Sequence, residues 1–336
     1  MKRSVLVVGG AGYIGSHMLI ALQDAGYAVV VFDNLSRGFA DAVGLVPLVT
    51  GDLRSPADME ICFASQNFDL VMHFAALAYV GESVAEPELY YQNNVTGTLN
   101  LLSAMRRYGV NRLVFSSSCA TYGEPECIPI PDMHPQRPIN PYGRSKLIIE
   151  QTLADYANAY GLQSISLRYF NAAGCDPQSR TRERHEPETH LIPLVLAEAL
   201  RIKQGGNPAE TNLSVFGMDF PTKDGSCVRD YIHVTDLCHA HLLAAERLFA
   251  GKTTGAEFYN LANGAGYTVL EVIDACRKVT GMPITCEVAP RRPGDPAVLV
   301  GDATHAQEVL GWQVEHDRLE EIITTAWTAV LQSSQD

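Results

Sequence analysis

The chain has 336 residues, of which 46% are hydrophobic and 19% charged, and its formal net charge is −13. This length suits one large domain or two closely joined domains, and the mixed composition excludes disordered and fibrous proteins. The negative charge argues against sequence-independent binding to nucleic acid or to an anionic membrane surface, because both require a basic face.

Short β-branched runs alternate with longer amphipathic segments up to about residue 168. Such alternation predicts βαβ units, and we therefore expect an α/β fold with a Rossmann-type doubly wound parallel sheet. Asn140 and Pro141 supply a helix start, with Asn as the N-cap and Pro at the first helical position. The predicted strands cover residues 5–8, 28–32, 70–74, 112–115 and 164–167, and the predicted helices cover 15–25, 88–108 and 141–160.

Beyond residue 168 the pattern loosens, with loops predicted at 176–188 and 205–211 and the part at 182–188 as a mobile surface loop. A strand followed by a helix is expected within 231–249, and a short strand at 258–261. We expect residues 1–171 to form the first domain, with 228–262 returning to it. The remainder, 172–227 and 263–336, would form a smaller mixed α/β lobe.

The eight cysteines include no Cys-x-x-Cys pair, so they predict neither a zinc site nor a redox dithiol. Reduced thiols are typical of a cytosolic protein, and we expect a cytoplasmic location. The apolar run near the start ends at Gly9-Gly10, too early for a signal peptide. No stretch approaches the roughly 20 apolar residues of a membrane span. We predict no metal site and no membrane partner.

A glycine motif, Gly10-Ala11-Gly12-Tyr13-Ile14-Gly15, stands between the first predicted strand and the first predicted helix. Glycines at this spacing let the backbone turn tightly and approach a pyrophosphate at the helix N-terminus. The bare match is weak, but in this position it predicts a dinucleotide site.

Asp33 ends the second predicted strand, where a carboxylate accepts hydrogen bonds from the hydroxyls of the adenosine ribose. It would repel a 2′-phosphate, whereas the nearby Arg37 would accept one. We weigh the carboxylate more heavily, and the expected cofactor is NAD.

Tyr142 and Lys146 form a Tyr-x-x-x-Lys pair one turn apart on the helix predicted from Pro141. A lysine charge, joined by that of an oxidised nicotinamide, would favour the phenolate and lower the pKa of the tyrosine. Ser118 follows the predicted strand at 112–115, so its hydroxyl would emerge at the carboxyl edge of the sheet, where ligands bind in open α/β folds.

The ordered motifs resemble the extended short-chain dehydrogenase/reductase family, and within it the UDP-galactose (UDP-glucose) 4-epimerases, over almost the whole chain. The segments that carry the resemblance are 9–16, 33–35, 51–53, 73–76, 80–83, 93–95, 116–118, 142–146, 168–171, 229–234 and 291–295.

The resemblance implies that the first domain binds NAD and that the smaller lobe binds the UDP-sugar. Its implied catalytic residues are Tyr142, Lys146 and Ser118. The implied cofactor contacts are Gly9, Gly12, Tyr13, Ile14, Gly15, Asp33, Asn34, Leu35, Ser36, Arg37, Gly38, Asp52, Leu53, Phe74, Ala75, Ala76, Ala78, Asn93, Ser116, Tyr142, Lys146 and Phe170. The implied substrate contacts are Ser118, Tyr142, Asn171, His190, Leu191, Val215, Phe216, Arg229, Arg292, Asp295 and Leu299.

In the mechanism that the resemblance implies, tyrosine removes the proton of the sugar 4-hydroxyl while carbon 4 passes a hydride to tightly bound NAD. The 4-keto sugar then rotates, and the hydride returns to its other face. The resemblance also implies a homodimer formed by helices that flank the sheet.

Several positions depart from the family pattern. Ala78 stands where some relatives place a lysine that reaches the cofactor, so that contact is missing. His190 stands where others use asparagine beside the diphosphate. Leu299 replaces a tyrosine that closes the sugar pocket in some relatives, and a smaller residue there is associated with room for an N-acetyl group.

Other functions remain open to different degrees. In the related 4,6-dehydratases this segment resembles Thr-Asp-Glu, whereas this chain has Ser118-Cys119-Ala120. The acid/base pair for elimination is therefore absent. Epimerases of UDP-pentoses or UDP-uronic acids are harder to exclude. From another class, the chain could be a non-catalytic NAD-binding sensor, although Tyr142, Lys146 and Ser118 speak against it.

Overall fold

The computed structural model describes residues 2–292 and 295–334. Along these residues the strands are β1 Ser4–Val8, β2 Ala28–Asp33, β3 Leu48–Thr50, β4 Leu70–His73, β5 Arg112–Ser118, β6 Gln163–Tyr169, β7 Asn171–Ala173, β8 Ser214–Phe216, β9 Val228–Arg229, β10 Tyr231–His233, β11 Ala256–Leu261, β12 Tyr267–Thr268, β13 Glu287–Ala289 and β14 Val298–Leu299. The α-helices are α1 Tyr13–Asp24, α2 Pro56–Ser65, α3 Val80–Ala85, α4 Pro87–Tyr90, α5 Gly97–Arg107, α6 Pro141–Tyr160, α7 Leu191–Lys203, α8 Val234–Phe249, α9 Val269–Thr280, α10 Thr304–Leu310 and α11 Leu319–Ser333.

Seven strands form one parallel sheet in the order β11-β6-β5-β4-β1-β2-β3. The strand order reverses between β1 and β4, and open α/β folds bind ligands at the carboxyl ends of the strands beside such a switch point. The predicted doubly wound parallel sheet is confirmed.

Both faces of this sheet are buried, and β1 shows how its sequence achieves this. Val5 and Val7 belong to the core that includes side chains of α1 and α8, whereas Leu6 and Val8 belong to the core that includes side chains of α2, α5 and α6. Successive side chains of a strand point to opposite faces, so a continuous apolar run supplies both cores.

A second lobe is built around α7, α9 and α11, whose apolar faces share a third core with β8. The sequence predicted a mixed α/β lobe here but not these helices. One clear signal was missed at α9, where Thr268 and Glu271 form a reciprocal capping box.

The helix predicted over 88–108 is interrupted. A π-helical stretch, Tyr91–Thr96, separates α4 from α5. Within it, the Asn94 side chain accepts from the Leu77 N–H and donates to the Leu77 carbonyl and the Ser145 hydroxyl. These bonds join the helix to the chain after β4, and irregular helical turns of this kind often occur at functional sites.

The division into two lobes stays a proposal, which strand pairing supports. Strand β11 pairs with β6 of the large sheet, and α8 contributes to the core against α1. Strand β9, however, pairs with β12 and β14 beside the second lobe, so residues 228–229 lie at the boundary. Across the described residues, no helix is long and apolar enough to cross a membrane.

Candidate active site

A cleft of about 1460 Å³ lies at the carboxyl edge of the large sheet and extends to the second lobe. Pockets for a single small ligand usually measure about 300–1,000 Å³. The volume therefore suits two ligands side by side, such as a dinucleotide and a second nucleotide.

Most of the predicted site residues line this cleft. They are Gly9, Gly12, Tyr13, Ile14, Gly15, Asp33, Asn34, Ser36, Arg37, Gly38, Leu53, Phe74, Ala75, Ala76, Ala78, Asn93, Ser118, Tyr142, Lys146, Phe170, Asn171, His190, Leu191, Phe216, Arg229, Arg292, Asp295 and Leu299.

Four predicted contacts, Leu35, Asp52, Ser116 and Val215, are not among the residues that line the cleft. Leu35 donates its N–H to Asp33, and Val215 is buried in the second-lobe core. The Ser116 carbonyl accepts a hydrogen bond from Lys146. The Arg54 guanidinium beside Asp52 holds the pKa of that carboxyl at about 2. These residues can support the cleft without forming its surface, and their ligand contacts stay predictions.

The glycines of this turn are explained by two different physical reasons. A Cβ on Gly15 would lie 2.2 Å from the Gly9 carbonyl oxygen, and Gly9 itself has φ +84° with its Cβ position 2.4 Å from the Ala75 nitrogen. Protein packing therefore requires both. Gly12 has φ −81°, and the nearest atom to its Cβ position is 3.6 Å away. Because the protein leaves room there, close approach of a ligand is the better explanation for that glycine.

The same turn presents the first residues of α1 to the cleft. N–H groups in the first turn of a helix have no intrahelical partner, and together with the helix dipole they favour an anion. The arrangement can hold a pyrophosphate.

Asp33 holds the loops on either side of this turn. Its carboxylate accepts the N–H of Ala11 at 2.9 Å and that of Leu35 at 2.8 Å. Burial raises its pKa, while the two N–H bonds act in the opposite direction. Arg37 is paired with Glu82 at 2.6 Å, so its charge is already compensated, and this favours a ribose hydroxyl over a 2′-phosphate.

The predicted catalytic pair, Tyr142 and Lys146, lies on the first turns of α6. Asn140 caps this helix by accepting the N–H of Gly143 at 2.8 Å, as the sequence predicted. The Lys146 Nζ donates to the Ser116 carbonyl at 2.6 Å and lies 5.9 Å from the centroid of the Tyr142 ring. Both side chains line the cleft, one helical turn apart.

Burial changes the pKa values of both members of this pair. Burial raises the pKa of Tyr142 to about 12, although the Ser118 hydroxyl acts as a hydrogen-bond partner that lowers it. Burial also lowers the pKa of Lys146 to about 7. Burial therefore reduces the positive charge that Lys146 places beside the phenol, and its Nζ also donates to a backbone carbonyl. The charge of an oxidised nicotinamide would act in the same direction as that of Lys146.

The cleft wall also includes Arg229, at the boundary between the lobes, and Arg292, in the second lobe. The Arg229 Nη2 is 3.3 Å from the Asp295 Oδ1, and the Arg292 guanidinium lies 3.9 Å above the Phe216 ring centroid. Both arginines line the cleft, where they can bind phosphate oxygens. Leu299 pairs in register with Arg229, so the two adjacent strands place them side by side.

The segment expected as a surface loop has no helix or strand, and it also contributes to the cleft wall. Glu183, His185 and Glu188 line it together with His190, and the Glu183 side chain is only 6% exposed. The spacing Glu-x-His-x-x-Glu-x-His was the signal that could have grouped them. Their high polarity suggested solvent exposure, but Glu183 is buried, and the His185 ring packs against the Tyr13 ring.

Comparison with known proteins agrees with this geometry. The model of the NAD dependent epimerase/dehydratase family matches residues 5–262. A UDP-glucose 4-epimerase of Halalkalibacterium halodurans is 49% identical over 324 residues, which are 96% of this chain and 94% of the relative.

Two solved structures share the fold over nearly their whole length. UDP-glucose 4-epimerase from Brucella ovis in complex with NAD is 47% identical, with a TM-score of 0.90 over 97% of this chain and 98% of its own. UDP-glucose 4-epimerase from Bifidobacterium longum in complex with NAD⁺ and UDP is 37% identical, with a TM-score of 0.91 over 99% of each chain. The glycine turn, the Tyr-Lys pair and the whole-length similarity together establish that this chain belongs to the NAD dependent epimerase/dehydratase family.

Proposed function

We propose that this protein catalyses the reversible 4-epimerisation of a UDP-hexose, UDP-galactose to UDP-glucose, with tightly bound NAD as its cofactor. The observation that carries the proposal is that Tyr142, Lys146 and Ser118 line one cleft together with the glycine turn and the two arginines. The UDP-glucose 4-epimerases described above, two of them solved with NAD, support the same reaction.

The residues present fit NAD. Gly12 leaves space that a Cβ would fill, α1 presents its N-terminus, and Asp33 stands at the end of β2 for the ribose. When bound, NAD supplies a two-electron acceptor that takes the hydrogen of carbon 4 and returns it to the opposite face of the sugar.

The chain's own residues would move the proton and hold the substrate. Tyr142 would take the proton of the 4-hydroxyl at its phenolic oxygen and give it back in the second half-reaction. Ser118, its hydrogen-bond partner, would orient that hydroxyl. Arg229 and Arg292 would hold the diphosphate, leaving the sugar free to turn between the two half-reactions.

A dehydratase function is disfavoured by the residues next to Ser118. Cys119 and Ala120 lie in a short 3₁₀ turn that lines the cleft, and neither is an acid or a base suited to eliminating water. Burial raises the pKa of the Cys119 thiol to about 12, so it stays protonated at neutral pH.

The reaction can be tested directly. Purified protein without added NAD, incubated with UDP-galactose, UDP-N-acetylgalactosamine and UDP-xylose, should convert UDP-galactose to UDP-glucose, as followed by NMR. Conversion of UDP-xylose alone would favour a pentose epimerase. Conversion of none of the three, with NAD present in the protein, would favour a sensor.

Gly12→Ala should remove cofactor binding without unfolding the chain. The added methyl group has room in the protein but occupies the space of the pyrophosphate. We expect a thermal unfolding midpoint close to that of NAD-depleted wild type and less than a tenth of the NAD content, measured by absorbance after denaturation. Gly15→Ala is the contrasting variant, because its Cβ would collide with the Gly9 carbonyl oxygen at 2.2 Å and should impair folding. Full NAD retention by Gly12→Ala would contradict the assignment.

Leu299 is proposed to set the size of the sugar that the cleft accepts. The wild-type protein should convert UDP-N-acetylglucosamine, and Leu299→Tyr should suppress this conversion about tenfold or more while leaving UDP-galactose turnover nearly intact, since lost room affects the larger sugar selectively. The ratio of product to substrate for each of the two sugars, measured by NMR, tests this prediction. Absence of any N-acetylhexosamine turnover in the wild type would refute the assignment.

The homodimer and the cytoplasmic location stay predictions. The eight free cysteines support a reducing location. Light scattering on the purified protein would test the dimer.

A further inference from the structure

Four side chains in the cleft wall form a compact set of donor atoms outside the Tyr-Lys pair. They are Glu183, His185, Glu188 and His190, and one donor atom from each lies within 4.8 Å of all the others. The His185 Nδ1 is 3.0 Å from a Glu188 oxygen and 3.6 Å from a Glu183 oxygen. The His190 Nδ1 is 2.8 Å from the second Glu188 oxygen. Two imidazoles and two carboxylates are donors that zinc-class ions bind well.

Glu183 provides an independent indication that a cation is the missing partner. Its side chain is 6% exposed, and its Oε2 has no hydrogen-bond partner. A buried carboxylate oxygen without a partner is costly, and native proteins usually compensate it with a hydrogen bond, a proton or a cation.

The backbone that carries the cluster is held in place by the first lobe. Arg37 donates to the Glu186 carbonyl at 3.2 Å, and the Tyr79 hydroxyl donates to the Pro187 carbonyl at 3.0 Å. The His185 and His190 rings pack with their centroids 4.4 Å apart. The four donor atoms therefore lie within 4.8 Å of one another on a backbone that the first lobe holds, and such preorganisation favours a metal site.

We propose that Glu183, His185, Glu188 and His190 bind one divalent transition-metal ion of the zinc class. Tetrahedral bonds of about 2.0–2.2 Å place neighbouring donors roughly 3.3–3.6 Å apart. The His185 Nδ1 lies 3.0 Å from one Glu188 oxygen and 3.6 Å from a Glu183 oxygen, which is close to that range. Each histidine would bind through its Nδ1 lone pair and keep its proton on Nε2. Glu183 would bind as the carboxylate, releasing any proton to solvent.

Four protein donors fill a tetrahedral shell, which is typical of structural rather than catalytic zinc sites. The ion would fasten residues 183–190 over the cleft, beside Tyr13. This site is separate from the proton transfer at Tyr142, and the inference does not depend on the proposed epimerisation.

Metal uptake tests the inference without reference to catalysis. Protein without an affinity tag and without UDP-sugar is stripped with a chelator, transferred to chelator-free buffer and titrated with Co²⁺ and, in competition, Zn²⁺. We expect one equivalent to bind, with the visible absorption of four-coordinate Co²⁺ and a higher thermal unfolding midpoint.

His185→Gln and His190→Gln should each weaken Co²⁺ binding by about tenfold or more, since each removes one donor. His190 is 45% exposed, so its variant is expected to fold even if a change at buried Glu183 is not tolerated. His305→Gln is the matched control, because the His305 Nδ1 also pairs with a carboxylate, that of Asp132 at 2.7 Å, outside the cluster. Absence of stoichiometric uptake by the wild type, or equal uptake by the wild type and both cluster variants, would overturn the inference.

Discussion

Replacing Tyr142 by phenylalanine should lower the rate of UDP-galactose epimerisation by roughly 10²–10⁴-fold, the usual contribution of a positioned acid or base. Only the phenolic oxygen is removed, and with it the group that would take the proton of the 4-hydroxyl. The ring remains in the cleft wall, so bound NAD should be retained. Initial rates are to be measured together with the NAD content of each preparation.

Tyr160→Phe is the matched control for this variant. Tyr160 ends the same helix, α6, but is 53% exposed and does not line the cleft. Its loss of a hydroxyl should leave the rate within a factor of about two, as expected for an exposed position. Wild-type activity in Tyr142→Phe would exclude this tyrosine as the acid/base, and loss of conversion with NAD retained would exclude the sensor.

Replacing Lys146 by methionine should lower the rate by about 10²-fold at pH 7 and make it depend on pH. A nearby opposite charge shifts a pKa by about 1–3 units, and methionine removes that charge while keeping much of the side-chain volume. The reactive form of Tyr142 is the phenolate, whose fraction rises tenfold per pH unit below its pKa. The variant should therefore gain about tenfold in rate per unit between pH 7 and 9, while the wild type changes less.

Loss of activity in Lys146→Met should not come from unfolding. Burial lowers the pKa of Lys146 from 10.5 to about 7, so between these values the unfolded chain holds a proton that the folded chain has lost. The contribution of Lys146 to the free energy of unfolding therefore rises with pH over that window. The free-energy cost of burying this side chain is greatest below pH 7. Methionine removes this cost, and the thermal unfolding midpoint at pH 7 should not fall below that of the wild type. Identical pH–rate profiles for variant and wild type would contradict the assigned role.

The first domain was predictable because its signals are local. A short apolar run predicts a parallel strand buried on both faces, and Asn140-Pro141 predicts the start of a helix. Neither signal depends on the rest of the chain. The doubly wound sheet and the placement of the Tyr-Lys pair on one helix face follow from such periodicities. The short strand β3 and helix α2 gave weaker patterns and were missed.

The second lobe was less predictable because its short segments are held in place by pairing with segments that are distant in the sequence. Strand β9 has two residues, Val228–Arg229, and is held by β12 and β14 from later in the chain. Such short pieces carry too little pattern to be recognised before their partners are known. The arginines at 229 and 292 could be assigned to UDP only through family resemblance.

By itself, the sequence determined the sheet, the glycine turn with its acidic partner Asp33, and the order of Ser118, Tyr142 and Lys146, since each depends on spacing along one strand or helix. Only the tertiary structure decided what surrounds them. It showed that Gly12 has no packing reason to be glycine, and that burial raises the pKa of Tyr142 to about 12. It also turned Glu183 inward beside His190. Burial and the meeting of distant segments arise from packing of the whole chain, which local periodicity does not encode.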